Sequence, residues 1–178
     1  SSRSEFYTAY TPYQPEVGQG TLQFIYEYQS MICSLTGMDV SNASLYDGGS
    51  ALAEACLLSK NYNRKRKILV SELVNPNYIE VIKTSLSRLD FEIVTIRSEN
   101  GLTDLDNLKE NMDDDTSCVV IQSPNYIGQL ENWETVNSIL KEKVLLVGLG
   151  DPINLSVLKS PGDCGVDIFV SEGQSLGN

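Results

Sequence analysis

Two short stretches carry the residue types and spacing that chemistry needs. Asp47-Gly48-Gly49-Ser50 lies between an apolar run and a helical pattern. Glycines let backbone N–H groups approach a ligand closely, and the N-terminus of the helix that follows favours an anion such as phosphate. The same residues also read as an ordinary helix start, with Ser50 as N-cap and the glycines as the turn. Asp151-Pro152 follows the apolar run VLLVGLG. A carboxylate at the tip of a central strand can hold a protonated ring nitrogen or a ribose hydroxyl. Equally, aspartate before proline commonly starts a turn. VGLG has no third glycine opening a helix, so it is not a dinucleotide fingerprint.

The chain contains no histidine. A Ser-His-Asp triad, a Cys-His pair or a histidine-ligated metal site cannot be assembled from it alone. Chemistry must come from carboxylates, tyrosines, lysines, a cofactor or another chain. TAYTPYQPE, residues 8–16, is stiff and amphipathic, and its tyrosines suit a binding surface. It reads equally as a chain-end segment draped over its own core. Pro124-Asn125-Tyr126-Ile127-Gly128, after CVVIQS, is a strand-tip loop open to the same two readings. At the end, GVDIFVSEGQSLGN climbs from an apolar run, Val166 to Val170, into a polar, glycine-bearing tip without a reactive side chain.

The elements that position these loops follow from periodicity. Residues 1–18 form an extended segment. Apolar residues at helical spacing (Leu22, Ile25, Tyr28, Ile32, Leu35) predict a helix over 19–35, closed by Gly37 as a C-cap. A short strand ends at Leu45, and a helix runs from Ala51 to Lys60. Strands over 68–70, 91–96, 118–121 and 144–147 alternate with helices over 78–89, 105–112 and 132–141, the second started by Asp104. Short runs such as CVVI and VLLV, apolar on both faces, belong to a mostly parallel sheet covered on both sides. A single three-layer α/β domain over 19–178 is the expectation.

Composition sets bounds on function. With 41% hydrophobic and 21% charged residues, the chain of 178 residues can bury a real core. No apolar run approaches the roughly 18 residues that cross a bilayer, and no targeting segment opens the chain. A formal charge of −11 repels phosphate backbones, which argues against nucleic acid. The basic run Arg64-Lys65-Arg66-Lys67 reads as a solvated loop. Cys33, Cys56, Cys118 and Cys164 are far apart in sequence and form no CxxC pair, so buried, reduced thiols of a reducing compartment are expected.

Taken together, these loops are more specific than any of them alone. The stretch TAYTPYQPEVGQGTLQFIYEYQSMICSLTGMDVSNASLYDGGSALAEA resembles glycine decarboxylase, the P-protein of the glycine cleavage system. DPINLSVLKSPGDCGVDIFVSEGQSLGN resembles the same family further along, with YTPYQPE and SEGQSLG its distinctive parts. The likeness is to the first subunit, or to the N-terminal half where the enzyme is one long chain. It implies that this is a central fragment, with segments missing before Ser1 and after Asn178.

The resemblance also implies a fold, that of the large domain of aspartate-aminotransferase-like, fold-type-I pyridoxal-phosphate enzymes. It implies a reaction in which glycine loses carbon dioxide on pyridoxal phosphate, the electron sink, and its aminomethyl group passes to the lipoyl arm of the H-protein. In the catalytic half of the family, the strand matching VDIFV leads into a His-Lys pair whose lysine holds the cofactor. Gln174 and Ser175 stand there in this sequence, Ser175 at the lysine position, and a hydroxyl cannot replace an amine. Asp47, Gly48, Gly49 and Ser50 match the phosphate cradle, and Asp151 the partner of the pyridine nitrogen. The resemblance thus implies a non-catalytic half, with pyridoxal phosphate on a catalytic partner subunit or second half, in the cytoplasm or a mitochondrial matrix. Tyr7, Tyr10, Thr11, Tyr13, Gln14 and Glu16 are the expected support for the partner's site. An assembly or regulatory scaffold with a vestigial pocket, or an unrelated phosphate-binding α/β module, are the competing readings.

Overall fold

A computed structural model of the chain describes Thr11, Gln14 and residues 18–177. It divides into two compact units, Ser1–Ser44 and Leu45–Asn178. Tyr7, Tyr10, Tyr13 and Glu16 lie outside the described residues.

The first unit is built on α1 (Gln19–Thr36), which ends at Gly37 in the left-handed conformation with its N–H on Cys33 O. The helix and its glycine cap are as the periodicity predicts. Ile25, Tyr28, Ile32 and Leu35 are half-buried, whereas Leu22 is more exposed. At Thr11 and Gln14 the chain makes a local turn: Gln14 N donates to Thr11 O (3.2 Å), and Thr11 N to the Gln14 side chain (3.4 Å). The strand expected to end at Leu45 is absent; residues 38–47 carry bends and irregular backbone. Polar Asn42 and Ser44 interrupt that segment, leaving too short an apolar run to earn a place in a sheet.

The second unit opens with α2 (Gly48–Asn63), followed by β1 (Lys67–Ser71), α3 (Pro76–Leu86) and β2 (Glu92–Ile96). A small hairpin of β3 (Ser98–Glu99) and β4 (Leu102–Thr103) leads to α4 (Leu105–Asn111) and β5 (Thr116–Gln122). Then come α5 (Trp133–Ile139), β6 (Leu145–Leu149), a 3-10 turn over Pro152–Ser156, β7 (Ile168–Val170) and a second 3-10 turn over Gly173–Leu176. The main sheet has five strands in the order β2-β1-β5-β6-β7, every pair parallel.

Successive side chains of a strand point to opposite faces, and here both faces are covered. Ile68, Val70, Cys118, Val120, Val147 and Leu149 pack beneath α2 and α3 with Leu52, Cys56, Ile79 and Ile82. Leu69, Val119, Ile121 and Leu146 face the other way, onto Leu108 of α4 and Trp133 and Val136 of α5. This is the three-layer α/β architecture that the two-faced apolar runs predict.

Three expectations need correction. The N-cap of α2 is Asp47, whose Oδ1 accepts from Ser50 N at 2.7 Å; Ser50 is already inside the helix. The basic run is only partly a loop: Arg66 is ion-paired with Asp90 and Asp115, and Lys67 opens β1 with its ammonium on Asp113. Cys56 and Cys118, distant in sequence, meet in the core, where their mutual hydrogen bond and burial push the Cys56 thiol well up. Cys33 and Cys164 are only half-buried, and all are free thiols.

Candidate functional site

Strand order reverses between β1 and β5: β2 lies on one side, while β5, β6 and β7 proceed to the other. Ligands of open α/β sheets bind beyond the carboxyl ends of the strands near such a switch. A cavity of about 190 Å³ lies there, lined by Gly48, Asn75, Tyr78, Gln122, Leu149, Gly150, Asp151, Val170, Ser171 and Glu172. The strand tips and the start of α2 converge on one place, as the loops of the sequence suggest.

The first turn of α2 is held open by its own cap. Asp47 fixes Ser50 N, and that bond keeps the Asp47 carboxyl below its ordinary range. Gly48 and Gly49 are both buried. Gly48 N donates to Glu172 Oε1 at 3.0 Å, and the same oxygen accepts the Tyr78 hydroxyl. A Cβ on Gly48 would stand 2.5 Å from the tyrosine hydroxyl and 2.8 Å from that oxygen, so a side chain there would displace both groups from the helix start. Burial first, then the bond to Glu172, pushes the Tyr78 hydroxyl up. At neutral pH it is a donor and Glu172 the acceptor.

On the opposite wall Asp151 caps the 3-10 turn, accepting from Ile153 N at 2.8 Å. Its Oδ1 also accepts the Ser175 hydroxyl at 3.0 Å. Asp151 and Ser175 are exposed, and Gln174 lies beside them on the surface. On the floor, Gln122 Oε1 accepts from Asn75 N at 2.8 Å, tying β5 to the start of α3. Close approach also fixes Gly150, where a Cβ would fall 2.9 Å from Ser123 O.

Of the residues singled out in the sequence, Gly48 and Asp151 line this cavity, Asp47 and Ser175 adjoin them, and Gly49 and Ser50 lie in the first turn of α2. Thr11 and Gln14 belong to the other unit. Sequence reasoning missed Glu172 and Tyr78. Glu172 was in view within SEGQSLG, but its partners lie 124 and 94 residues away, beyond any local pattern. The loop over 123–131 is held by a network that was also missed. Glu131 accepts from Thr103 N and Oγ1 (both 3.0 Å) and from Asn125 Nδ2 (3.2 Å), and Ser71 bonds Thr103 at 2.7 Å.

The model of the glycine cleavage system P-protein family matches residues 1–178. The chain belongs to the glycine cleavage system P-protein family. Over 175 residues it is 54% identical to the "Probable glycine dehydrogenase (decarboxylating) subunit 1" of Coprothermobacter proteolyticus, covering 98% of this chain and 40% of that protein. A crystal structure of inhibitor-bound glycine decarboxylase (P-protein) superposes with a TM-score of 0.90 at 43% identity, over 98% of this chain and 39% of that one. The sphingosine-1-phosphate lyase of Burkholderia pseudomallei, at 15% identity, shares the fold with a TM-score of 0.69, over 90% of this chain and 43% of that one. The architecture is that of the fold-type-I pyridoxal-phosphate enzymes. The chain spans about 40% of the length of the curated relatives it matches.

Pyridoxal phosphate, the cofactor this fold implies, does not fit the cavity described above. No lysine or arginine lines it, and the Gly48 N–H that would meet a phosphate is already bonded to the Glu172 carboxylate. Among the described residues no group of three potential ligands could hold a metal ion, and no helix is long and apolar enough to cross a membrane.

Proposed function

We propose that this chain is part of a non-catalytic subunit, or half, of glycine dehydrogenase (decarboxylating), and that it completes the active site of a partner that carries pyridoxal phosphate. The partner's cofactor supplies the electron sink for decarboxylation of glycine, and the aminomethyl group leaves on the lipoyl arm of an H-protein. The observation that carries this reading is the family match over the whole chain together with a strand-tip cavity that offers no amine. Ser175 stands at the position of the cofactor lysine, and its hydroxyl is engaged by Asp151, the residue at the pyridine-partner position. Tyr10 and Tyr13 foremost among Tyr7–Glu16 are assigned to the support of the partner's active site, a role carried by residue type and family resemblance. A hetero-oligomeric oxidoreductase of the cytoplasm is the setting this reading assigns.

The test is reconstitution. The full-length protein is mixed with its catalytic partner, and glycine–bicarbonate exchange is measured with and without it. Exchange that needs both chains supports the reading; a partner fully active alone would sink it.

A further inference from the structure

We infer that Glu172 is a built-in substitute for phosphate: its carboxylate occupies the anion position at the start of α2 and closes the strand-tip cavity to phosphate-bearing ligands. The inference rests on the reading that this cavity corresponds to the cofactor site of catalytic relatives, and extends it from the absent lysine to the cradle itself.

Three observations combine. Glu172 Oε1 accepts from Gly48 N at 3.0 Å, the bond a phosphate oxygen would make at a helix N-terminus. The Tyr78 hydroxyl donates to the same oxygen, so the carboxylate has a second donor and is not a passing surface group. A Cβ on Gly48 would push both groups aside, so helix start, tyrosine and carboxylate fit together only with glycine at this position. Asp151 lines the same cavity, and no lining residue is cationic. An incoming phosphate would meet two carboxylates and find its amide donor taken. The raised titration of the Tyr78 hydroxyl agrees, since it keeps the proton that the bond requires.

Removing the carboxylate should therefore reopen the anion position. The full-length chain is melted at fixed ionic strength in chloride, inorganic phosphate or pyridoxal phosphate, as wild type and as Glu172→Ala. Wild type is expected to melt at the same temperature in all three. Glu172→Ala is expected to melt lower in chloride and to regain about 2 °C or more in phosphate, by linkage of binding to folding. Calorimetric titration should show phosphate binding at least roughly tenfold tighter than to wild type, an increment of about 1.4 kcal/mol. Wild type stabilised by phosphate as much as the variant overturns the inference, and so does a folded Glu172→Ala that phosphate does not stabilise. If Glu172→Ala does not fold, Glu172→Ser, polar but too short to reach Gly48 N, is measured in the same salts. It must gain phosphate stabilisation over wild type, or the inference falls. Failure of the reconstitution assay would remove the subunit reading and leave this result standing, because the salts report on the cavity directly.

Discussion

The Ser175 hydroxyl donates to Asp151 Oδ1 across 3.0 Å, tying the tip of β7 to the tip of β6. Glu172, three residues earlier, ties the same tip to α2 and α3. Ser175 Oγ, Gly48 N and the Tyr78 hydroxyl are thus all satisfied by this chain's own carboxylates.

Restoring an amine alone should therefore not restore a cofactor site. In Ser175→Lys the new ammonium is expected to pair with Asp151, while Glu172 still fills the anion position. Incubation with pyridoxal phosphate, borohydride reduction and peptide mapping should find no stoichiometric adduct at position 175. The double variant Ser175→Lys, Glu172→Ala should gain one. A full adduct in the single variant would show that the carboxylate is no obstacle.

The tyrosine in this cluster gives a pH signature. The Tyr78 hydroxyl is raised by burial and by its bond to Glu172. Its folded value lies above the unfolded value of about 10, so its contribution to stability is complete below pH about 10 and is lost as pH rises through the raised value. Ultraviolet absorbance titration should show one late-ionising tyrosine that Tyr78→Phe removes. Urea unfolding at neutral pH should place that variant about 1–2 kcal/mol below wild type. A late tyrosine that survives in Tyr78→Phe would reassign the signal.

On the hairpin side of the sheet, Glu131 holds the 123–131 loop through Thr103 and Asn125, which are 5% and 4% exposed. Glu131→Ala leaves the buried Thr103 N–H without its carboxylate. Stability should fall by about 1–3 kcal/mol, with faster amide exchange confined to the hairpin and this loop. Uniformly faster exchange across the sheet would argue against a local anchor.

The tyrosines of the N-terminal segment are tested by function. Tyr10→Phe and Tyr13→Phe, each in the reconstituted complex, are expected to lower the rate of glycine decarboxylation or raise the KM for H-protein by about tenfold, the loss of one oriented hydrogen bond. Wild-type kinetics in both variants would remove the segment from the partner's site.

The layering was legible in the sequence because Ile68-Leu69-Val70 and Cys118-Val119-Val120 are short runs apolar at consecutive positions that alternate with helical segments, the pattern of a sheet covered on both faces. The start of α4 was legible at Asp104, which accepts from Asp106 N and Asn107 N, whereas at α2 the capping side chain is Asp47 and not the expected Ser50. The β3–β4 hairpin was legible too, but passed over. Asn100-Gly101 is a strong two-residue turn signal, and both residues take positive φ, 53° and 81°, between strands too short to show alternation. The start of α2 was half legible. Glycines and a cap can be read from DGGS, but whether an anion site is open depends on what reaches it from elsewhere, and Glu172 arrives from the far end of the sheet.

That arrival has a consequence for how the second unit forms. An ordinary helix start frays, and its first amides exchange quickly with solvent. The Gly48 amide is instead fastened to a residue 124 positions later, a contact of very high order that can close only after β7 has docked on β6. The first turn of α2 is therefore expected to order late and, once ordered, to open together with the β7 edge. Hydrogen exchange at Gly48 should track the opening of that edge, making one backbone proton a gauge of whether the sheet is complete.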